Sequence, residues 1–271
     1  MTRPRIGSVA WLVSEIGPID RKILATVAQH RFVTRRQVEA LHFNDRPSTL
    51  ADARAARRAL YRLVELDVLA TLKRRIGGIR AGSSGLVYHL SAKGRRLYTL
   101  NSGRLLPRFA AEPSLTFLAH TLAVGDVHAN LARQVSKGVI ELVEFTTEPT
   151  CWRKYLNRGG GTDTLKPDAF AVTAARGAEY EDLWFIEVDR GTESLATVLK
   201  KARQYETYRR TGLEQQAQGI FPHVVWLTMD HMRAERITTT LARGLSADAG
   251  MQRAIQLDKF TEILTKEGGT I

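Results

Sequence analysis

Asp168, Glu187 and Asp189 are the residues of this chain whose types and spacing best suit chemistry. Asp168 opens the apolar run Ala169-Phe170-Ala171-Val172, while Glu187 and Asp189 close the run that begins Leu183-Trp184-Phe185-Ile186. Two strand-like segments folded side by side would bring these carboxylates together, and clustered hard oxygen donors suit a divalent cation such as Mg2+ or Mn2+. A cation held there lowers the pKa of a bound water and polarises a phosphate, which is the outline of phosphodiester cleavage. The period of two along a strand puts Asp189 on the same face as Glu187. The structural alternative is that these acids pair with Lys166, Arg190 and nearby helix lysines at a solvent boundary. Like charges crowded at adjacent strand ends, however, repel unless something cationic neutralises them.

The elements that must position these acids follow from hydrophobic periodicity. A helix is expected from Leu115 to Ser136, burying Leu118, Leu122, Val127 and Leu131, with His120, Asp126 and His128 elsewhere around it. Strands are expected over 139–145, 167–172 and 182–188, the last so uninterrupted in its apolar character that it reads as central. A helix from Ser194 to Arg210, a strand from Val224 to Met229 and a helix from Arg233 to Leu241 complete an α/β order of helix, three strands, helix, strand. The tail over 246–271 carries Met251, Ile255, Leu257, Phe260 and Leu264 at roughly helical spacing, to pack on the core or on a second copy of the chain as a homodimer.

That order, with Pro167-Asp168 on one strand and Glu187 on the next, resembles the PD-(D/E)XK nuclease fold of restriction endonucleases and junction resolvases. The resemblance implies that Asp168 and Glu187 hold Mg2+ and that a lysine two residues after the second acid orients the nucleophile. Asp189 stands at that lysine position, as a possible third metal ligand. The lysine is then expected from the following helix, as Lys200 or Lys201, with Tyr205 and Tyr208 on the face of Lys201. Asp126 is the candidate for a further ligand.

The first third of the chain has a different texture. Ile19, Ile23, Leu24 and Val27 keep helical spacing, and Thr34 with Gln37 forms a capping box that opens a second short helix. A longer helix from about Thr49 to Leu66 puts Ala53, Ala56, Leu60, Leu63 and Val64 on one stripe and Arg54, Arg57, Arg58 and Arg62 on the other face. Strands over 68–76 and 86–90 flank a glycine-rich loop, and Ser91 caps a further helix. This order, over residues 18–101, resembles the winged helix-turn-helix. The resemblance implies that the arginine-bearing helix enters the major groove, while wing residues Lys73, Arg74, Arg75 and Arg80 reach phosphates. The alternative is a solvated helix face in a module that packs on another protein. Residues 102–114, with two prolines and a glycine, read as a connector between this domain and a second one spanning 115–245.

Composition agrees with a nucleic-acid partner. The 271 residues carry a formal net charge of +12 and a sequence pI near 10.1, a balance that attracts polyanions over several ångströms. No apolar run is long enough to span a bilayer. A single cysteine, Cys151, excludes an internal disulfide and a thiolate zinc cage, consistent with a reducing cytoplasm. No P-loop is present, so no nucleotide cofactor is expected. His120 and His128, eight residues apart, are expected as one structural and one exposed histidine rather than a zinc pair. Trp152-Arg153-Lys154-Tyr155 interleaves aromatic and basic groups that suit clamping a nucleic-acid strand or an ordinary strand edge.

Taken together, the two domains and the segment Glu187 to Glu193 are similar to the replication-relaxation family of actinobacterial plasmids and integrative elements, over nearly the whole chain. The resemblance implies a role in plasmid replication initiation or in DNA relaxation and mobilisation and leaves the reaction open; Mg2+-dependent nicking is the expectation that the carboxylates and the nuclease resemblance add. The competing expectation is a non-catalytic replication or transcription regulator whose second domain serves dimerisation or binding.

Overall fold

The structure, a computed structural model, describes residues 9–44, 48–72, 85–106, 112–157, 159–245 and 251–265. It is of the α/β class, and the chain divides into two compact units, 1–136 and 137–271.

The first unit runs α1 (Val9–Glu15), α2 (Pro18–His30), β1 (Val33–Thr34), α3 (Arg35–His42), α4 (Thr49–Glu65), β2 (Leu69–Thr71), β3 (Val87–Leu90), α5 (Ala92–Ser102) and α6 (Leu115–Ser136). Its three strands form an antiparallel sheet in the order β1-β3-β2. Thr34 and Gln37 close the expected capping box: the Thr34 hydroxyl accepts the Gln37 N–H at 3.3 Å and the Gln37 carbonyl accepts the Thr34 N–H at 2.8 Å. Leu24 and Val27 of α2, Val38 of α3, Ala56, Leu60 and Leu63 of α4 and Leu97 of α5 meet in one core. Burying each of the leucines stabilises the fold by roughly 1.5–3 kcal/mol. Gly94 is required by close approach, because a Cβ there would lie 2.0 Å from the Val68 carbonyl oxygen. Lys73, Arg74, Arg75 and Arg80, expected on a wing, lie outside the described residues.

The expected second domain began at Leu115, but the division falls one helix later. Helix α6 belongs to the first unit, packing on α3, where the Gln37 amide donates to the Leu122 carbonyl at 2.8 Å and to Asp126 at 2.7 Å.

The second unit contains β4 (Ile140–Thr147), β5 (Arg153–Leu156), β6 (Thr162–Leu165), β7 (Ala169–Ala175), β8 (Asp182–Asp189), α7 (Leu195–Arg209), α8 (Leu213–Gln218), β9 (His223–Thr228), α9 (His231–Gly244), β10 (Gln252–Gln256) and α10 (Phe260–Leu264). Five strands form a mixed sheet in the order β10-β9-β8-β7-β4, and β5 with β6 makes a separate hairpin. Strand β8 is central, antiparallel to β7 and parallel to β9. Its alternation directs Leu183 and Phe185 toward Val198, Ala202 and Tyr205 of α7, whereas Trp184 meets Phe260 of α10 edge-on at 5.5 Å.

The tail corrects the expectation of a helix over 246–271. Among its described residues, Gln252–Gln256 instead adds a parallel edge strand to β9, and only Phe260–Leu264 is α-helical, following a 3-10 turn at Leu257–Lys259. Short apolar runs fit either period, and here an open sheet edge won because pairing satisfies the backbone groups of β9.

Candidate functional site

Sheet geometry places the acids. Strand β7 runs antiparallel to β8, so its N-terminal end lies beside the C-terminal end of β8, and Ala169 pairs with Ile186. Asp168 precedes that pair and accepts the Val188 N–H at 2.7 Å. Glu187 projects from β8 onto α7, where Lys201 and Tyr205 are four residues apart on one helical face. The Lys201 ammonium donates to Glu187 Oε2, and the Tyr205 hydroxyl donates to Glu187 Oε1 at 2.5 Å. Lys201 Nζ also stands 4.0 Å from Asp168 Oδ1. One ammonium therefore serves two carboxylates contributed by neighbouring strands.

Burial sets the electrostatics. Glu187 is 2% exposed, and this burial, with the nearby Asp168 charge, pushes its carboxyl up to about 8 against the opposing pull of Lys201. The two carboxylates in turn hold the Lys201 ammonium above its ordinary range despite desolvation. Burial and the adjacent Glu187 raise the Tyr205 phenol well above its usual value, so it remains a hydrogen-bond donor. Cys151 donates to the Pro167 carbonyl at 3.1 Å, and burial with the Asp168 charge pushes its thiol up to about 12, which leaves no thiolate at neutral pH.

Asp189 takes a different partner. Both its oxygens accept from the Arg233 guanidinium of α9, at 2.9 and 2.7 Å, and one also accepts the Gly191 N–H at 2.7 Å. Arg233 continues to the Glu193 carbonyl at 2.7 Å. This buried pair ties the end of β8, the turn after it and the start of α9 into one network. Lys200 projects to solvent while Lys201 reaches the acids. Asp126 belongs to the first unit.

Whether these groups suit a metal ion depends on what each oxygen already does. Among the described residues no three His, Cys, Asp or Glu side chains gather closely enough to hold one. Asp189 is committed to Arg233, so the expected three-carboxylate cage does not fit. Mg2+ can be held by one or two protein carboxylates with water and substrate phosphate in its remaining positions; of the pair that is left, Asp168 accepts the Val188 N–H and Glu187 has Lys201 on one oxygen and Tyr205 on the other.

In the first unit, Arg54, Arg57 and Arg58 form an exposed row along α4, and none is hydrogen-bonded or ion-paired to another described residue. Arg62 continues the row in sequence but not in role. One of its terminal nitrogens lies 2.5 Å from both oxygens of Asp20, a carboxylate with no exposure, so it staples α4 to α2. His128 is hydrogen-bonded to His30 at 2.9 Å, and His120 is half-buried, so neither is the exposed histidine expected. Arg153 is a structural anchor on Glu214, with its guanidinium 4.9 Å from the Phe170 ring centre, and Tyr155 is buried. The strand-edge reading of that segment agrees with its place in β5.

Sequence reasoning missed Arg233. The signal was present: Arg233, Ile237 and Leu241 recur every four residues on the buried face of α9, and an arginine in such a stripe demands a buried acid.

With the architecture in hand, the chain can be placed. Residues 24–224 match the family described as replication-relaxation, and the chain belongs to that family. Membership associates it with the replication or relaxation of mobile genetic elements. No curated protein and no solved structure is similar enough to match. No helix among the described residues is long and apolar enough to cross a membrane.

Proposed function

We propose that this is a DNA-binding protein of a plasmid or other mobile element, acting in replication initiation or in DNA relaxation and mobilisation. In this reading the first unit is a winged helix that grips duplex DNA through α4, and the second is a PD-(D/E)XK-type core that nicks it. The observation that carries the reading is the meeting of Asp168, Glu187 and Lys201. A strand-end aspartate, a glutamate on the adjacent strand and a basic group come together, with the lysine delivered by α7 because Asp189 occupies the strand position.

Asp168 and Glu187 would hold Mg2+ or Mn2+, which would supply water activation and phosphate polarisation when bound. The chain's own residues do the rest. The Val188 N–H fixes Asp168, the Tyr205 hydroxyl orients Glu187, and Lys201 offers a cation to the charge that develops on phosphate. Arg54, Arg57 and Arg58 supply the salt-sensitive grip on the backbone.

A second reading has its own observation. Both Glu187 oxygens already have protein partners, as in a sealed structural cluster, and the second unit would then be a non-catalytic binding or dimerisation platform. Supercoiled plasmid incubated with Mg2+ or Mn2+ separates the two. The nuclease reading expects nicked circles from the intact chain and none from Asp168→Ala or Glu187→Ala, with DNA binding retained in both variants. Retained binding without any metal-dependent product selects the platform.

A further inference from the structure

Helix α4 presents more than charge to its open side. Leu50, Arg54, Arg57, Arg58 and Tyr61 fall at i, i+4, i+7, i+8 and i+11, a single stripe along its length. Leu50 is 58% exposed and Tyr61 67% exposed. The opposite face is fixed: Ala56, Leu60 and Leu63 lie in the core, and Ser48 caps the start by accepting the Ala51 N–H at 3.2 Å. A lone exposed leucine needs no explanation. Leu50 is not placed at random, however, because it stands in the first turn, in line with three exposed arginines. That is the part of a groove-entering helix that meets base edges.

We infer that this stripe reads sequence, with Leu50 packing on the C5-methyl group of a thymine and Arg54, beside it on the stripe, donating to a neighbouring guanine. The inference rests on the DNA-binding reading above and adds the class of target: duplex DNA with a thymine close to a guanine in the major groove. Charge complementarity favours this occupant, since an arginine row suits a polyanion and the guanine O6 and N7 acceptors alike. Only the major groove also offers an apolar methyl at the depth of the base edges. Tyr61, at the far end of the same stripe, is left open to solvent.

The test uses the full chain and a pool of random-sequence DNA duplexes. Bound duplexes are enriched, and each thymine of the best binder is then replaced by deoxyuridine, which lacks only the methyl. The expected result is a thymine near a guanine whose replacement weakens binding about fourfold, the worth of roughly one buried methyl group. Leu50→Ala should bind the thymine and uracil duplexes equally, with its melting temperature unchanged because the side chain is exposed. The inference is overturned if no replacement matters, or if Leu50→Ala still distinguishes the two. Salt-dependent binding with no preferred sequence removes this inference and leaves the DNA-binding reading standing. Absence of salt-dependent binding removes both.

Discussion

The two units differ in the polar groups they bury, although each holds one buried acid matched by an arginine, Asp20 by Arg62 and Asp189 by Arg233. In the first, three histidines are taken out of water in neutral form. His30 and His128 hydrogen-bond to each other, and His42 hydrogen-bonds to the Thr26 hydroxyl at 2.8 Å. Burial lowers His30 and His42 to about 4 and His128 to about 3, with Lys22 adding to the effect at His42 and the other two histidines at His128. In the second unit acids stand beside cations instead, Asp189 beside Arg233, and Asp168 with Glu187 beside Lys201. Neutral pairs suit helix junctions that only need to be held. Charged pairs cost far more to bury unless matched, and the second unit concentrates them at one end of the sheet.

The comparison can be broken most forcefully at Arg233. Arg233→Met leaves Asp189 buried without its cation and should cost about 3–5 kcal/mol in urea unfolding, whereas Asp189→Leu combined with Arg233→Met should recover most of that loss. Equal destabilisation by the single and double changes would mean that the pair is not a matched unit.

Next in size are opposite responses to pH. The histidines have folded pKa values below the unfolded value of about 6.5, so the unfolded state binds more protons. Their contribution is complete above about 6.5 and is lost as pH falls toward 4, by about 1.4 kcal/mol per pH unit for each histidine. Glu187 is shifted the other way, to about 8. Its contribution is present below the unfolded value and is lost as pH rises to about 8. Urea midpoints across pH in metal-free buffer should fall on both sides. Glu187→Gln should flatten the alkaline side alone, and an unchanged alkaline slope in that variant would remove Glu187 as its source.

The smallest effects separate arginines that look alike. Arg57→Ala should lower the salt slope of DNA binding by about 1 with little change in stability. Arg62→Ala should leave the slope intact and cost about 1–3 kcal/mol, because Asp20 stays buried without its main partner. A lowered slope for Arg62→Ala would return it to the row proposed to face DNA.

How far the sequence disclosed this arrangement depended on whether an element answers to local or distant contacts. Helix α4 was legible because its Ala and Leu stripe and its arginines separate cleanly at helical period. Strand β8 was legible as central from its unbroken apolar run, and Lys201 was reachable from the face it shares with Tyr205. Asp189 was not legible, because parity gives the face of a strand residue and says nothing of which helix covers it. Arg62 misled for a related reason, since its partner lies forty-two positions away at Asp20. Strand β10 was hidden because its pairing is with β9, and only the sheet edge decides between strand and helix.

Because the ammonium of Lys201 is mounted on α7 while both carboxylates are mounted on strands, charge and counter-charge ride on separate bodies. A small tilt or slide of that helix would change the potential at the sheet end without moving a strand, so a contact that shifted α7 would be felt by the acids from a distance.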